Sequence, residues 1–171
     1  MLKNKLKKNE LTIGSWIMMG NSTSVEVMAS AGFDWLAIDL EHTSIDLETA
    51  QNLIQVIQSK NIKALVRVSK NEEVIIKKVL DMGADGIIVP MICSKEDATR
   101  AIDYAKYPPA GKRGIGLCRA SGYGAKFEEY KKWVEKELVI IAQIEHIDGV
   151  KNIDQIITVE GIDGVIIGPY D

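Results

Sequence analysis

Gly83-Ala-Asp-Gly-Ile-Ile-Val89 reads as a helix end, a turn and a buried strand, and the same pattern recurs at Gly32-Phe-Asp-Trp-Leu-Ala-Ile38 and Gly161-Ile-Asp-Gly-Val-Ile-Ile167. Each glycine suits the left-handed residue that ends a helix. Each following strand is apolar on consecutive residues, the signature of a parallel strand covered on both faces. The separation of the copies leaves room for a helix, a strand and a helix between them. They are therefore alternate strands of a β/α array.

Working outward, six strands are expected at Ile13–Ile17, Trp35–Ile38, Ala64–Val68, Ile87–Val89, Val139–Ile144 and Val165–Ile167. Helical patterns fill the intervals. Thr23-x-x-Glu26 has the form of a capping box. Asp46 can cap a helix with Leu47, Ala50, Leu53, Ile54 and Ile57 inward. Asn71 can cap one with Val74, Ile75, Val79 and Met82 inward, and Ser94 one with Ala98, Ala101, Ile102 and Ala105 inward. Two more are expected around Phe127–Lys136 and Val150–Ile157. Strands alternating with helices imply right-handed crossovers and a parallel sheet.

The chain has 171 residues, which fits one β/α domain over residues 1–171, with 46% apolar and 26% charged side chains. A net charge of −3 argues against nucleic acid or an anionic membrane surface as partner. No apolar run approaches the ~20 residues of a membrane helix, and the start lacks the apolar core of a signal peptide. Cys93 and Cys118 fit no metal-knuckle or CxxC spacing, so reduced thiols in a cytoplasmic protein are expected. The lysines between Lys3 and Lys8 read as a solvated terminus.

The apolar strands end on ionisable residues: Ile38 on Asp39-Leu-Glu-His42, Val66 on Arg67, Ala142 on Gln143-Ile-Glu145, and Ile167 on Gly168-Pro-Tyr-Asp171. In barrels of parallel strands those ends open on one face, where active sites sit. Gln143 and Glu145 are two apart on a strand and share a face. Glu145 and Asp171 could together offer oxygen ligands to Mg²⁺ or Mn²⁺, or be a salt-bridged and a solvated acid. His42 suits a base near working pH, and equally a polar loop position. His146 reads as a helix start. Arg67 pairs with an acid or awaits an anion. Asp81, near a helix C-terminus, opposes the helix dipole and calls for a compensating partner. Gly111-Lys-Arg-Gly-Ile-Gly116 is not a P-loop. The long connection Tyr107–Gly124 reads as flexible backbone over the mouth, with Arg113 and Arg119 as candidate anion contacts.

Taken in order, Gly32-Phe-Asp-Trp-Leu-x-Ile-Asp-x-Glu-His42, Val66-Arg67, Leu80-Asp81-x-Gly83, Val89-Pro-Met91, Tyr107-Pro-Pro-Ala-Gly-x-Arg-Gly114, Gln143-Ile-Glu145 and Gly161-x-Asp-Gly-Val-x-Ile-Gly-Pro-x-Asp171 resemble the HpcH/HpaI family of pyruvate aldolases. The resemblance runs from about Gly14 to Asp171. It implies a TIM-type (β/α)8 barrel, truncated here after the sixth strand, and a class II aldolase that reversibly cleaves a 4-hydroxy-2-oxo acid to pyruvate and an aldehyde. It implies a divalent cation (Mg²⁺, Mn²⁺ or Co²⁺) on Glu145 and Asp171. Gln143, Gly168, Pro169, Tyr170 and Asp171 would contact substrate, Arg67 would stabilise the enolate, and His42 would be the base. Asp81 would make His42 more basic, reaching it from a neighbouring subunit of a homo-oligomer. No lysine ends a strand that carries site residues, which disfavours a Schiff-base mechanism. The alternatives are an acyl-CoA or citrate-lyase-like enzyme, and a non-catalytic carboxylate-binding or assembly protein. Barrels of this type run to ~250 residues, so six strands alone are expected to leave open edges at Ile13–Ile17 and Val165–Ile167.

Overall fold

A computed structural model describes residues 2–169. Six parallel strands form one curled sheet, a half-barrel in which each strand pairs with the next in sequence. They are β1 (Gly14–Ile17), β2 (Trp35–Asp39), β3 (Lys63–Arg67), β4 (Gly86–Val89), β5 (Val139–Ile144) and β6 (Gly164–Ile167). The helices are α1 (Leu2–Lys7), α2 (Ser22–Ala29), α3 (Leu47–Ser59), α4 (Glu73–Asp81), α5 (Lys95–Ala105), α6 (Phe127–Glu137), α7 (Ile147–Lys151) and α8 (Ile153–Ile156). None is long and apolar enough to cross a membrane.

Strand alternation divides the apolar residues into two clusters. Leu36, Ile38, Ala64, Val66, Ile87, Val89, Ile140, Ala142 and Ile144 face the helices. Ala37, Leu65, Ile88, Val139, Ile141 and Ile166 line the inside of the curl, with Trp16 and Trp35 against them. Since side chains two apart share a face, the inward row continues from Ala37 to Asp39, from Leu65 to Arg67, and from Ile141 through Gln143 to Glu145. These rows thus deliver Asp39, Arg67, Gln143 and Glu145 to the inner face at the carboxyl ends, while Lys63 begins the β3 row at the amino end.

The repeated aspartate has one job in all three copies. Asp34 donates its backbone N–H to Ile13 O (2.7 Å) and accepts Ile13 N–H on its carboxylate (2.9 Å). Asp85 does the same with Ala64 (2.8 and 3.0 Å), and Asp163 with Ile140 (2.9 and 3.0 Å). A lysine completes each clamp: Lys5 at 2.5 Å, Lys63 at 2.8 Å and Lys3 at 2.9 Å. The clamps lie at the amino ends of the strand pairs β1–β2, β3–β4 and β5–β6, and fix the register of each pair. The glycine two residues before each aspartate has φ of 89°, 97° or 104°, as the repeat required. Asp85→Ala is expected to lower stability by about 1–3 kcal/mol, because Ala64 N–H and Lys63 lose their acceptor. Urea unfolding checks this, and an unchanged midpoint would remove the clamp from the stability argument.

Several local expectations are corrected. The terminal lysines are not simply solvated: α1 inserts Leu2 and Leu6 into the inner cluster, and Lys3, 4% exposed, bonds Asp163 and Leu138 O. Its charge is needed to finish the third clamp. Helix α2 begins earlier than the Thr23 box, capped by Asn21 accepting from Ser24 N–H. Asn71 does not cap α4, since its amide donates to Asp97 O. The buried stripe of α4 is Ile76, Val79 and Leu80, leaving Val74 exposed. Asp46 and Ser94 cap α3 and α5 as expected. The helix placed around Val150–Ile157 is divided into α7 and α8.

The connection after α5 is also corrected. It does not cover the mouth. Arg113 donates to Asp81 at the end of α4, and Arg119 donates to Met82 O and Gln58. Helices antiparallel to the strands bring these partners to the amino-end side of the sheet, opposite the mouth. Arg113 is buried between the rings of Tyr107 and Tyr130. Both guanidiniums are structural there, not anion contacts over the site.

Candidate active site

Inward-facing residues at the carboxyl ends of the strands surround a cavity of about 500 Å³, lined by Trp16, Met18, Asp39, His42, Arg67, Gln143, Glu145, Ile166, Ile167 and Gly168. Five of the residues singled out from sequence therefore meet at one mouth: His42, Arg67, Gln143, Glu145 and Gly168. Pro169 follows β6 among the described residues. Tyr170 and Asp171 lie outside them. Asp81 does not join the group, because it pairs with Arg113 at 2.6 Å on the opposite side of the sheet.

Arg67 is the hub. Asp39, its register partner on β2, holds it in two bonds, Nε to Oδ1 at 2.9 Å and Nη2 to Oδ2 at 2.7 Å. Its Nη1 lies 3.5 Å from Gln143 Oε1, and its guanidinium covers Trp16 at 4.7 Å. Asp39 is fully buried. Burial pushes its carboxyl up, but the Arg67 bonds and the backbone N–H groups of Glu41 and His42 outweigh this and hold it below the usual carboxylate range. Asp39 and Trp16 also line this cavity, although neither was expected there from sequence. The signal was available: Asp39 ends an apolar strand, and parallel pairing sets it opposite Arg67.

Two further carboxylates sit beside this pair. Glu145 is 7% exposed, accepts Met91 N–H at 2.6 Å and accepts a bond from the Gln143 amide. Met91 adopts φ of 53° to present that N–H, a left-handed conformation unusual for its type. Glu41 has a buried Oε2 without a hydrogen bond, 3.4 Å from Arg67 Nε and 3.5 Å from His42 Nε2. Burial pushes the Glu41 carboxyl up, and the charge of Glu145 pushes the same way against the pull of Arg67. A buried carboxylate oxygen that lacks a partner and is raised by a second carboxylate is what a hard divalent cation would relieve. The donor set fits such an ion, although no group of three His, Cys, Asp or Glu forms a ligand cluster among the described residues.

The His42 side chain is 59% exposed at the mouth. His146 instead caps α7 by accepting Asp148 N–H, the helix-start role expected of it. Cys93 and Cys118 are both free thiols.

The chain as a whole is similar to known proteins. The family model described as HpcH/HpaI aldolase/citrate lyase matches residues 12–171. The chain is 37% identical over 171 residues to the hydroxypyruvate/pyruvate aldolase of Roseobacter denitrificans, covering 99% of this chain and 66% of that protein. It is 40% identical to the 4-hydroxy-2-oxo-heptane-1,7-dioate aldolase of Shigella sonnei, covering 99% and 65%. Among solved structures, a HpcH/HpaI aldolase/citrate lyase family protein from Burkholderia cenocepacia superposes with a TM-score of 0.92 at 29% identity, over 98% of this chain and 68% of that one. The chain thus spans about two thirds of the length of the curated relatives it matches.

Proposed function

The chain belongs to the HpcH/HpaI aldolase/citrate lyase family, and from that premise and the geometry of the mouth we propose that it carries the site of a divalent-metal-dependent class II aldolase. The reaction is reversible cleavage of a 4-hydroxy-2-oxo acid to pyruvate and an aldehyde. The observation that carries this reading is the convergence of Arg67, Gln143, Glu145 and His42 on one cavity at the carboxyl ends of the strands.

In cleavage the C3–C4 bond breaks and its electron pair becomes the pyruvate enolate. The proton of the C4 hydroxyl leaves to His42, a step for which a positioned base contributes typically ~10²–10⁴ in rate. Arg67 faces the developing charge on the C2 oxygen. Its position is fixed beforehand by Asp39, so no reorganisation is needed as charge develops. Gln143, set between Arg67 and Glu145, orients the carboxylate end of the substrate together with Gly168, Pro169, Tyr170 and Asp171. Glu145 and Asp171 would hold the cation, which when bound supplies Lewis-acid polarisation of the keto oxygen. Mg²⁺, Mn²⁺ and Co²⁺ all suit an oxygen-rich site. Asp81 acts on His42 only across a subunit boundary, since in its own chain it lies on the other side of the sheet. A homo-oligomer follows. The six strands are read as part of a single (β/α)8 domain, which the superposition on the Burkholderia structure supports.

Two sequence features favour an aldolase of this class over a Schiff-base enzyme: an acid-rich mouth, and a strand lysine, Lys63, that is used in a clamp at the amino end. Activity is expected to vanish with a chelator, to return with Mg²⁺, Mn²⁺ or Co²⁺, and to survive borohydride in the presence of pyruvate. Borohydride inactivation with a pyruvate adduct on lysine would overturn the mechanism.

A further inference from the structure

On the aldolase reading, we propose that Trp16 is a positioning residue for the reaction: its indole face fixes the plane of the Arg67 guanidinium, and so aims the free corner of that group, Nη1, at the C2 oxygen of the substrate.

Strand packing puts the ring there. On β1, Trp16 packs with the inner cluster and Ile17 with the helix-facing one. The register partner of Trp16 on β2 is Ala37, which in turn pairs with Leu65 on β3. β1 and β3 are therefore ~9.6 Å apart, two strand spacings, and the side chain between them in this row ends at Cβ. Through that space Trp16 and Arg67 meet, with the guanidinium over the ring and Cζ 4.7 Å from its centroid. The row below repeats the arrangement with the sizes exchanged. Gly14 pairs with Trp35, and a Cβ on Gly14 would fall 2.1 Å from the Trp35 ring. Each tryptophan is given its room by a small residue on the neighbouring strand.

Arg67 needs such a floor. Asp39 takes Nε at 2.9 Å and Nη2 at 2.7 Å, both on one edge of the guanidinium. Two contacts along one edge define an axis, and the group can still tilt about it. Tilting moves Nη1 most, because Nη1 is the corner off that edge. It is also the corner that bonds no carboxylate among the described residues, its partner being Gln143 Oε1 at 3.5 Å. A ring face under the plane is the third contact: its quadrupole attracts the cation, most strongly where water is excluded. The Arg67 side chain is 15% exposed. A misplacement of ~1 Å at a reacting centre can cost ~10²-fold in rate, so losing the floor should be read mainly in kcat.

The test uses the full protein with Mg²⁺ or Mn²⁺ and follows exchange of the pyruvate methyl protons for deuterium by NMR, without aldehyde, so that only enolisation is read. Trp16→Leu is expected to lower the exchange rate at saturating pyruvate by roughly 10- to 100-fold, with KM for pyruvate little changed. Trp16→Phe, which keeps an aromatic face, should recover most of it. Because a smaller side chain also removes packing, tryptophan fluorinated on its benzo ring is placed at position 16 as a second variant. Fluorine withdraws charge from the ring face and leaves its shape nearly unchanged. Exchange should fall with each added fluorine, to about one third or less when the ring is fully fluorinated, while the urea midpoint stays constant. A rate unmoved by fluorination overturns the inference. So does exchange left intact in Trp16→Leu with cleavage of a 4-hydroxy-2-oxo acid impaired, which would place the ring against the aldehyde half instead. Wild-type protein showing neither exchange nor cleavage overturns the aldolase reading and this inference with it.

Discussion

Alanine at His42 is expected to lower kcat by roughly 10²–10⁴ while divalent-metal binding stays nearly intact. The imidazole is exposed at the mouth, and its nearest charged neighbour is Glu41, at 3.5 Å. Its backbone is held by Asp39, which accepts His42 N–H at 3.3 Å, so removing the ring leaves the strand end in place. The loss should therefore appear in the chemical step and not in folding. Steady-state kinetics and calorimetric metal titration on the same preparation separate the two. Loss of metal affinity on His42→Ala would show the ring to be a ligand and not the base.

Arg67→Ala should be the most damaging single change for the fold as well as for activity. It leaves Asp39 buried without its cation, a loss that costs about 3–5 kcal/mol when one member of a buried pair is removed. Arg67→Lys should recover little, because an ammonium cannot reproduce the two parallel bonds to Asp39. The pH dependence follows from the same pair. The Asp39 carboxyl is held below its ordinary value in the folded protein. Its contribution to stability is therefore fully present above the unfolded pKa of ~3.9, and is lost as pH falls through the lower folded value. In Arg67→Ala the carboxyl should rise instead, so that acid stabilises the variant relative to neutral pH. Urea unfolding midpoints from pH 3 upward, roughly spanning the carboxylate range, are the measurement. Equal midpoints for wild type and Arg67→Ala at neutral pH would sink the argument.

The strands were legible because each is a short apolar run between turn signals, and the Gly-x-Asp repeat fixed where three of them begin. Placement of His42, Arg67, Gln143 and Glu145 at one mouth followed from strand direction alone. What could not be read was which charge meets which. Arg67 was expected to pair with an acid or to await an anion, and only the register of β2 against β3 identifies Asp39 as its partner. Lys3 was read from its lysine-rich surroundings as solvated, yet its partner Asp163 lies 160 residues away. The Tyr107–Gly124 connection misled for a similar reason. Glycines and prolines mark a loop but carry no information about which end of a strand it serves, and here Arg113 is drawn to Asp81 and the Tyr107 and Tyr130 rings.

The aspartate clamps bear on catalysis through tolerance. A catalytic group must be held to within about 0.5 Å of its working position, whereas a one-residue slip between strands displaces it by ~3.3 Å and turns it to the other face. Such a slip of β2 or β5 would send Asp39, Gln143 and Glu145 into the helix layer. The mouth needs open space for substrate and is poorly placed to guard against that error. The guard is stationed at the far end of the same strands, where Asp34 and Asp163 lock the first and third pairs. Alignment is thus set where no substrate enters, and the residues of the mouth are free to be exchanged for new chemistry without disturbing the gauge that positions them.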